Sequence, residues 1–153
     1  MKPVHTTHLN ALLLPLAGRT LMLPSAAVAE VIRYPDQPAP VGNAQGWLLG
    51  NIDWRGLSLP LLSFEALAGR SLPPPSGRIA VLNLTDERAR IKFCALLLQG
   101  FPRPLQADEQ LPRNNDEPLA ALELCAVSLA DGKTAIIPNM PALEQQLLAA
   151  GVL

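Results

Sequence analysis

Two cysteines, Cys94 and Cys125, are the strongest nucleophiles in this chain, and two histidines, His5 and His8, are the only imidazoles that could activate them. A thiol becomes a working nucleophile when a nearby base or cation lowers its pKa. The histidines stand in a polar amino-terminal stretch, whereas both cysteines lie in apolar runs far downstream, so neither thiol has an evident base. His5 and His8 could share a metal from one helix face, but no third ligand is near and Pro3 opens the segment. Residues 1–8 therefore read as a flexible leader. Asp86-Glu87, Asp108-Glu109 and Asp116-Glu117 fall in turns or loops, where adjacent carboxylates are ordinarily solvated. There is no glycine-rich phosphate loop and no nucleophile elbow. The expectation is a protein that is not an enzyme, with no catalytic residue, no cofactor and no metal. The cysteines are expected to be buried free thiols, not a disulfide.

What the chain offers instead is apolar surface with one placed charge. Gly46 to Phe64 comprises two short apolar runs joined at Arg55-Gly56. Each run has the length of a strand, and glycine sits where a tight turn needs positive φ. Arg-Gly suits a type II turn or a loop ending in a glycine bulge better than a two-residue hairpin, which favours Asn-Gly or Asp-Gly. Arg55 is either an ordinary solvated turn residue or a recognition charge at the tip of an apolar ribbon. Pro60 interrupts the second run, which places that strand at a sheet edge or at a bulge. An exposed edge flanked by apolar side chains would be a docking rail for another chain.

The composition sets the frame for these elements. A chain of 153 residues can bury one substantial core or two small ones sharing an interface. Twelve basic residues against thirteen acidic give a net charge of −1, without the basic excess of a nucleic-acid binder. Hydrophobic residues make up 49% of the chain but only six residues are aromatic, so the core is aliphatic. Sixteen prolines exclude long helices, because an interior proline costs a helix about 3 kcal/mol. The apolar runs fall well short of the roughly 18–20 residues that span a bilayer, and the amino terminus has no signal-peptide pattern. The reading is a mainly β, cytoplasmic protein without direct membrane insertion.

Along the chain, Leu9 to Leu16 and Thr20 to Leu23 form a first hairpin about Ala17-Gly18-Arg19. A helical turn at 25–28 and a strand to Tyr34 follow, then a proline-rich loop to Ala44. Ser63 to Ala68 is a helical turn ended by Gly69. Arg70-Ser71-Leu72-Pro73-Pro74-Pro75 has polyproline character and reads as a stiff spacer, over 70–77, between two halves; an Arg-anchored ligand for an aromatic-grooved adaptor domain is the alternative. Arg78 to Thr85 and Ala89 to Gln99 make a third hairpin, and residues 100–118 an extended loop. Leu119 to Leu129 and Thr134 to Ile137 flank Asp131-Gly132, the strongest hairpin signal in the chain. Met140 to Ala150 reads as a closing helix, with Pro141 in its first turn and Gly151 at its end.

Val28-Ala29-Glu30-Val31-Ile32, Gly50-Asn51-Ile52-Asp53-Trp54-Arg55-Gly56 and Leu59-Pro60-Leu61-Leu62, in this order and spacing, resemble the hallmark run of CheW-like domains, the adaptors of bacterial chemosensory arrays. The resemblance is firm over residues 9–68. It implies a single domain over 9–150 built as two intertwined five-stranded SH3-like β-barrels with a short C-terminal helix. It implies a non-catalytic adaptor that couples the cytoplasmic tip of a chemoreceptor (a methyl-accepting protein) to the regulatory domain of a chemotaxis-type histidine kinase, as a monomer. It places partner contacts at Val31, Ile32, Gly50, Trp54, Arg55 and Gly56, with Arg55 foremost and Glu30 either a contact or an internal partner of Arg55.

Several positions depart from the family pattern. The strand that carries a Val-Asp pair in the family reads Ala95-Leu96-Leu97-Leu98-Gln99 here, Ile137-Pro138-Asn139 replaces a Leu-Asp before the last helix, Ser63 replaces an Asp, and Trp54 stands where Leu is usual. The lost carboxylates suggest an accessory adaptor, for instance in a pilus-based twitching-motility system. Two other readings compete: a small thiol-dependent enzyme using Cys94 or Cys125, and a β protein that self-associates through the strand edge near Pro60.

Overall fold

The computed structural model describes residues 9–34, 46–74, 77–107 and 111–153. The leader with its two histidines, the proline-rich loop after Tyr34 and the Asp108-Glu109 pair lie outside them.

Among the described residues, short apolar runs broken by proline and glycine become ten strands and two short helices. All four expected hairpins form: β1 (Leu9–Pro15) with β2 (Thr20–Pro24), β4 (Leu48–Trp54) with β5 (Leu57–Leu62), β6 (Arg78–Asn83) with β7 (Phe93–Leu98), and β9 (Glu123–Ser128) with β10 (Thr134–Pro138). Between β2 and β3 (Val28–Arg33) lies a single 3-10 turn, Ser25–Ala27. The remaining strand, β8 (Arg103–Ala107), arises within the stretch expected as loop. It pairs antiparallel to β1, from Leu9↔Ala107 to Leu13↔Arg103. Pro104 is tolerated there because β8 is an edge strand.

The strands make two five-stranded sheets, β8-β1-β2-β10-β9 and β3-β6-β7-β5-β4. Both follow one plan: two antiparallel hairpins meet through a parallel pair, β2 with β10 or β5 with β7, and a fifth strand adds to the outside of one hairpin. The expected SH3-like barrels are not present. Among the described residues no ladder joins β8 to β9 or β3 to β4, so each sheet stays open. The outer edge of β9 is met instead by residues 112–114, through an isolated bridge between Arg113 and Val127.

Burial follows the alternation of the strands. Val81, Ile79, Leu59, Leu61, Ile52, Trp54 and Ala95 form a small core within the second sheet, and Ala11, Leu13, Met22, Val127, Leu129 and Ala135 one within the first. The opposite faces of the same strands, with Phe64, Leu143 and Leu147 from the helices, build a larger shared core between the sheets. Both faces of β6 and β7 are thus buried, as their nearly continuous apolar sequence requires.

Two features of the connections differ from the sequence reading. The strand with Pro60 is interior, between β4 and β7, and the bulge lies in its partner, where Leu49 is the extra residue between the pairs Leu48↔Leu62 and Gly50↔Leu61. Pro60 is accommodated because pairing to β7 begins one residue later, at Leu61↔Ala95. Self-association through an edge at Pro60 therefore has no free edge to use. The segment expected as a spacer between two halves instead joins helix α1 (Phe64–Leu67) to β6, and so connects two strands of one sheet. Its Arg70 is bound to Glu123 through two bonds of 2.7 and 3.1 Å, which commits the cation that an adaptor-domain ligand would need.

The helices explain two departures from the family pattern. Ser63 is the N-cap of α1, accepting from the Ala66 N–H at 3.2 Å. Asn139 is the N-cap of α2 (Met140–Ala149), accepting from the Ala142 N–H at 3.2 Å. Ser, Asn and Asp cap helices about equally well. Ser63 and Asn139 therefore fill, at these positions, a helix-capping role that an Asp could also fill. Helix α2 ends as expected at Gly151, whose φ of 75° lets the Gly151 and Val152 N–H groups bond back to Leu148 and Leu147. No helix among the described residues is long and apolar enough to cross a membrane.

Candidate partner-binding site

The hairpin tip is tighter than its sequence suggests. Arg55 and Gly56 are the only residues between the paired Trp54 and Leu57, and both have positive φ, 49° and 78°. This is the pattern of a two-residue type I′ turn, whose twist matches the flanking strands. An arginine in the left-handed region costs roughly 1 kcal/mol against a glycine there, so other contacts must hold it.

Those contacts come from the opposite edge of the sheet. Trp54, at the end of edge strand β4, donates its indole N–H to Glu30 Oε1 at 2.9 Å. Arg55 donates to the same oxygen at 3.1 Å, and its guanidinium stands 4.7 Å from the Trp54 ring centre. Phe93 also packs against Trp54, with ring centres 4.8 Å apart and the ring planes tilted by 58°. Glu30 belongs to β3, the other edge strand. The sheet that no backbone ladder closes is thus bridged by three side chains. Glu30 is thus an internal partner of Arg55, with 41% of its side chain still exposed.

The six residues singled out from the sequence divide into three roles. Arg55 and Gly56 stand in solvent, with 68% of the Arg55 side chain exposed. Trp54 is 7% exposed, so it supports the tip from below. Gly50 is buried at the bulge with a φ of 145°, a backbone position. Val31 and Ile32 point to opposite faces: Ile32 packs on the small core of its own sheet, whereas Val31 stands opposite Ala80 on the face toward the shared core and is only partly buried. One tip residue escaped the sequence reading. Leu57 is 44% exposed beside Arg55, and its place as the first residue after the turn was the available signal.

The candidate chemistry is elsewhere and is disarmed. Cys94 lies fully buried on β7, where burial and the charge of Glu144 push its thiol up to about 12. Both cysteines are free, and Cys125 is half-buried. Asp86 is held at about 2 by hydrogen bonds from Arg88. Glu144, on α2, accepts the Thr85 and Asp86 N–H groups at 2.8 and 2.7 Å and so ties the helix to the β6–β7 loop. Among the described residues no group of three or more His, Cys, Asp or Glu side chains could hold a metal ion.

A pair of layered open sheets that presents a braced, exposed cation at a strand turn has the features of a binding module of the adaptor class. The chain belongs to the CheW-like domain family, whose sequence model matches residues 10–147, and it is accordingly a non-catalytic chemosensory adaptor. Among solved structures, the scaffolding protein TtCheW from Thermoanaerobacter tengcongensis superposes with a TM-score of 0.71 at 17% identity, over 90% of this chain and 88% of that one. No curated protein matches this chain.

Proposed function

We propose that this adaptor joins a chemoreceptor to a histidine kinase by being gripped at the Arg55 tip, with the receptor's cytoplasmic tip and the kinase regulatory domain as its partners in the cytoplasm. The supporting observation is that Arg55 is strained, braced and exposed together. Glu30 and Trp54 fix its position while most of its guanidinium surface stays in solvent. A pre-positioned guanidinium loses little freedom on binding and can make several directed bonds to a carboxylate or to helix-terminal carbonyls. Leu57 and Gly56 supply apolar and backbone surface alongside. Trp54 and Gly50 act through support and not through contact.

The test is a titration of the purified chain with a receptor signalling tip and with a kinase regulatory domain from the same genome. Arg55→Glu is expected to weaken at least one association by roughly tenfold or more, as close interfacial charges do, while circular dichroism stays unchanged. Failure of the wild-type chain to bind either partner would overturn the proposal.

A further inference from the structure

Two arginines face each other where the sheet needs none. Arg33 on β3 and Arg78 on β6 are directly paired across the antiparallel ladder, so their side chains leave the same face. Like charges in that relation destabilise a sheet. Among the described residues neither forms an ion pair, and the Arg78 guanidinium donates one hydrogen bond, to the Gly77 carbonyl at 3.1 Å. Gln99, in the connection that leaves β7 one residue past Leu98, the strand partner of Arg78, carries no charge and donates to the Pro74 carbonyl at 3.0 Å.

Beside this pair stands the most exposed large apolar side chain described. Phe101 is 68% exposed, with the Arg78 guanidinium 4.2 Å from its ring centre. Val31 lies two residues from Arg33 on the same face of β3. Glu30 and Ile32 lie on the other face, so this patch is separate from the Arg55 tip although one strand carries both. An aromatic plane, a valine and two guanidiniums of one sign are costly to leave together in water and complementary to an anionic, partly apolar ligand.

We infer that the Arg33–Arg78–Phe101 face is a second docking surface, which takes an acidic protein segment: carboxylates on the two guanidiniums and a neighbouring apolar side chain on Phe101 and Val31. This deepens the adaptor reading by giving the chain a second contact of stated chemistry. A protein segment fits better than a membrane surface, because stable electrostatic adsorption to anionic lipid takes a cluster of about four to eight basic residues. Two guanidiniums match the bidentate geometry of individual carboxylates.

The test uses a fluorescein-labelled peptide of alternating glutamate and leucine, a glutamine-for-glutamate control peptide, and phosphatidylserine vesicles. The full chain is expected to bind the glutamate peptide alone, more weakly as salt rises. Arg33→Glu and Arg78→Glu should each cut that binding about tenfold, and Arg90→Glu, the same charge change at an exposed residue on the β6–β7 loop, should leave it unaltered. Arg33→Glu should also raise the melting temperature, because it replaces a repulsive cross-strand pair by an attractive one. Equal loss with Arg90→Glu, binding of both peptides alike, or vesicle binding in place of peptide binding would overturn the inference. So would a lower melting temperature for Arg33→Glu, which would mean that Arg33 is neutralised within its own chain. No receptor or kinase enters this assay, so its failure is distinct from failure of the tip to bind either one.

Discussion

The Trp54 indole N–H and the Glu30 carboxylate meet at 2.9 Å, and they belong to the two outermost strands of one five-stranded sheet. With the Arg55 bond to the same carboxylate, this contact joins side chains across an opening that no backbone ladder spans. It also sets the direction of Arg55, which shares the same carboxylate oxygen. Stability at the sheet's open side and presentation of the recognition charge therefore depend on one residue.

Glu30→Ala should consequently cost more than an exposed ion pair, which is worth at most about 1 kcal/mol. It leaves the indole N–H of a buried tryptophan without its partner, at roughly 1–3 kcal/mol. Glu30→Gln keeps an acceptor for Trp54 and loses only the charge, so it should cost about 1 kcal/mol or less. Urea denaturation of the three proteins checks the order, and both variants should weaken partner binding by releasing Arg55.

Gly56→Ala isolates backbone strain. A Cβ at that position meets no heavy atom within 4 Å, so only the φ of 78° opposes it. The expected loss is roughly 1–2 kcal/mol, read from the same denaturation curves. A cost near zero would mean that the turn relaxes to another type.

Cys94 should react with a thiol reagent only as the protein opens. Its thiol is fully buried and raised to about 12, so at neutral pH it is protonated as well as inaccessible. Labelling followed by mass spectrometry should show Cys94 modified at the global unfolding rate and accelerated by sub-denaturing urea. Fast labelling of Cys94 in the folded protein would reopen the thiol-enzyme reading.

Glu123 predicts the acid limit of stability. Burial alone would raise its carboxyl, but two bonds from Arg70, the Ala120 N–H and the charges of Arg70 and Arg19 outweigh burial and hold it below the usual carboxylate range. A group lowered on folding stabilises fully above its unfolded pKa, about 4.3, and loses that contribution as pH falls through its folded value. The urea midpoint should therefore fall steadily below about pH 4.5. Glu123→Gln should start lower at neutral pH and show a shallower fall. At neutral pH, Arg70→Ala should cost roughly 2–3 kcal/mol, because it leaves a buried carboxylate with only the Ala120 N–H and the more distant Arg19.

Local structure was legible in the residues themselves. Alternating apolar runs marked the strands, and Gly18, Gly56 and Gly132 marked three of the four hairpins. Ser25 and the prolines after it limited the helical turn before β3, and Pro141 and Gly151 bracketed the last helix. The order of motifs about Arg55 was enough for the family, because hairpins and their turns are set by neighbours in sequence. The cap roles of Ser63 and Asn139 were equally local, yet comparison with a family pattern recast them as lost charges.

Sequence alone marked every strand but β8, and the four hairpin turns between them. It could not say which strands lie side by side, because pairing is decided by how apolar faces from distant segments pack together, not by any one segment's own preference. Only the tertiary structure placed β5 inside its sheet, drew β8 out of a polar stretch onto β1, and left both sheets open. It alone brought Glu30 to Trp54 and Arg55, Arg70 to Glu123, and Arg33 opposite Arg78. Each of these joins residues at least 24 positions apart, across which a one-residue slip in strand register would turn every side chain to the other face.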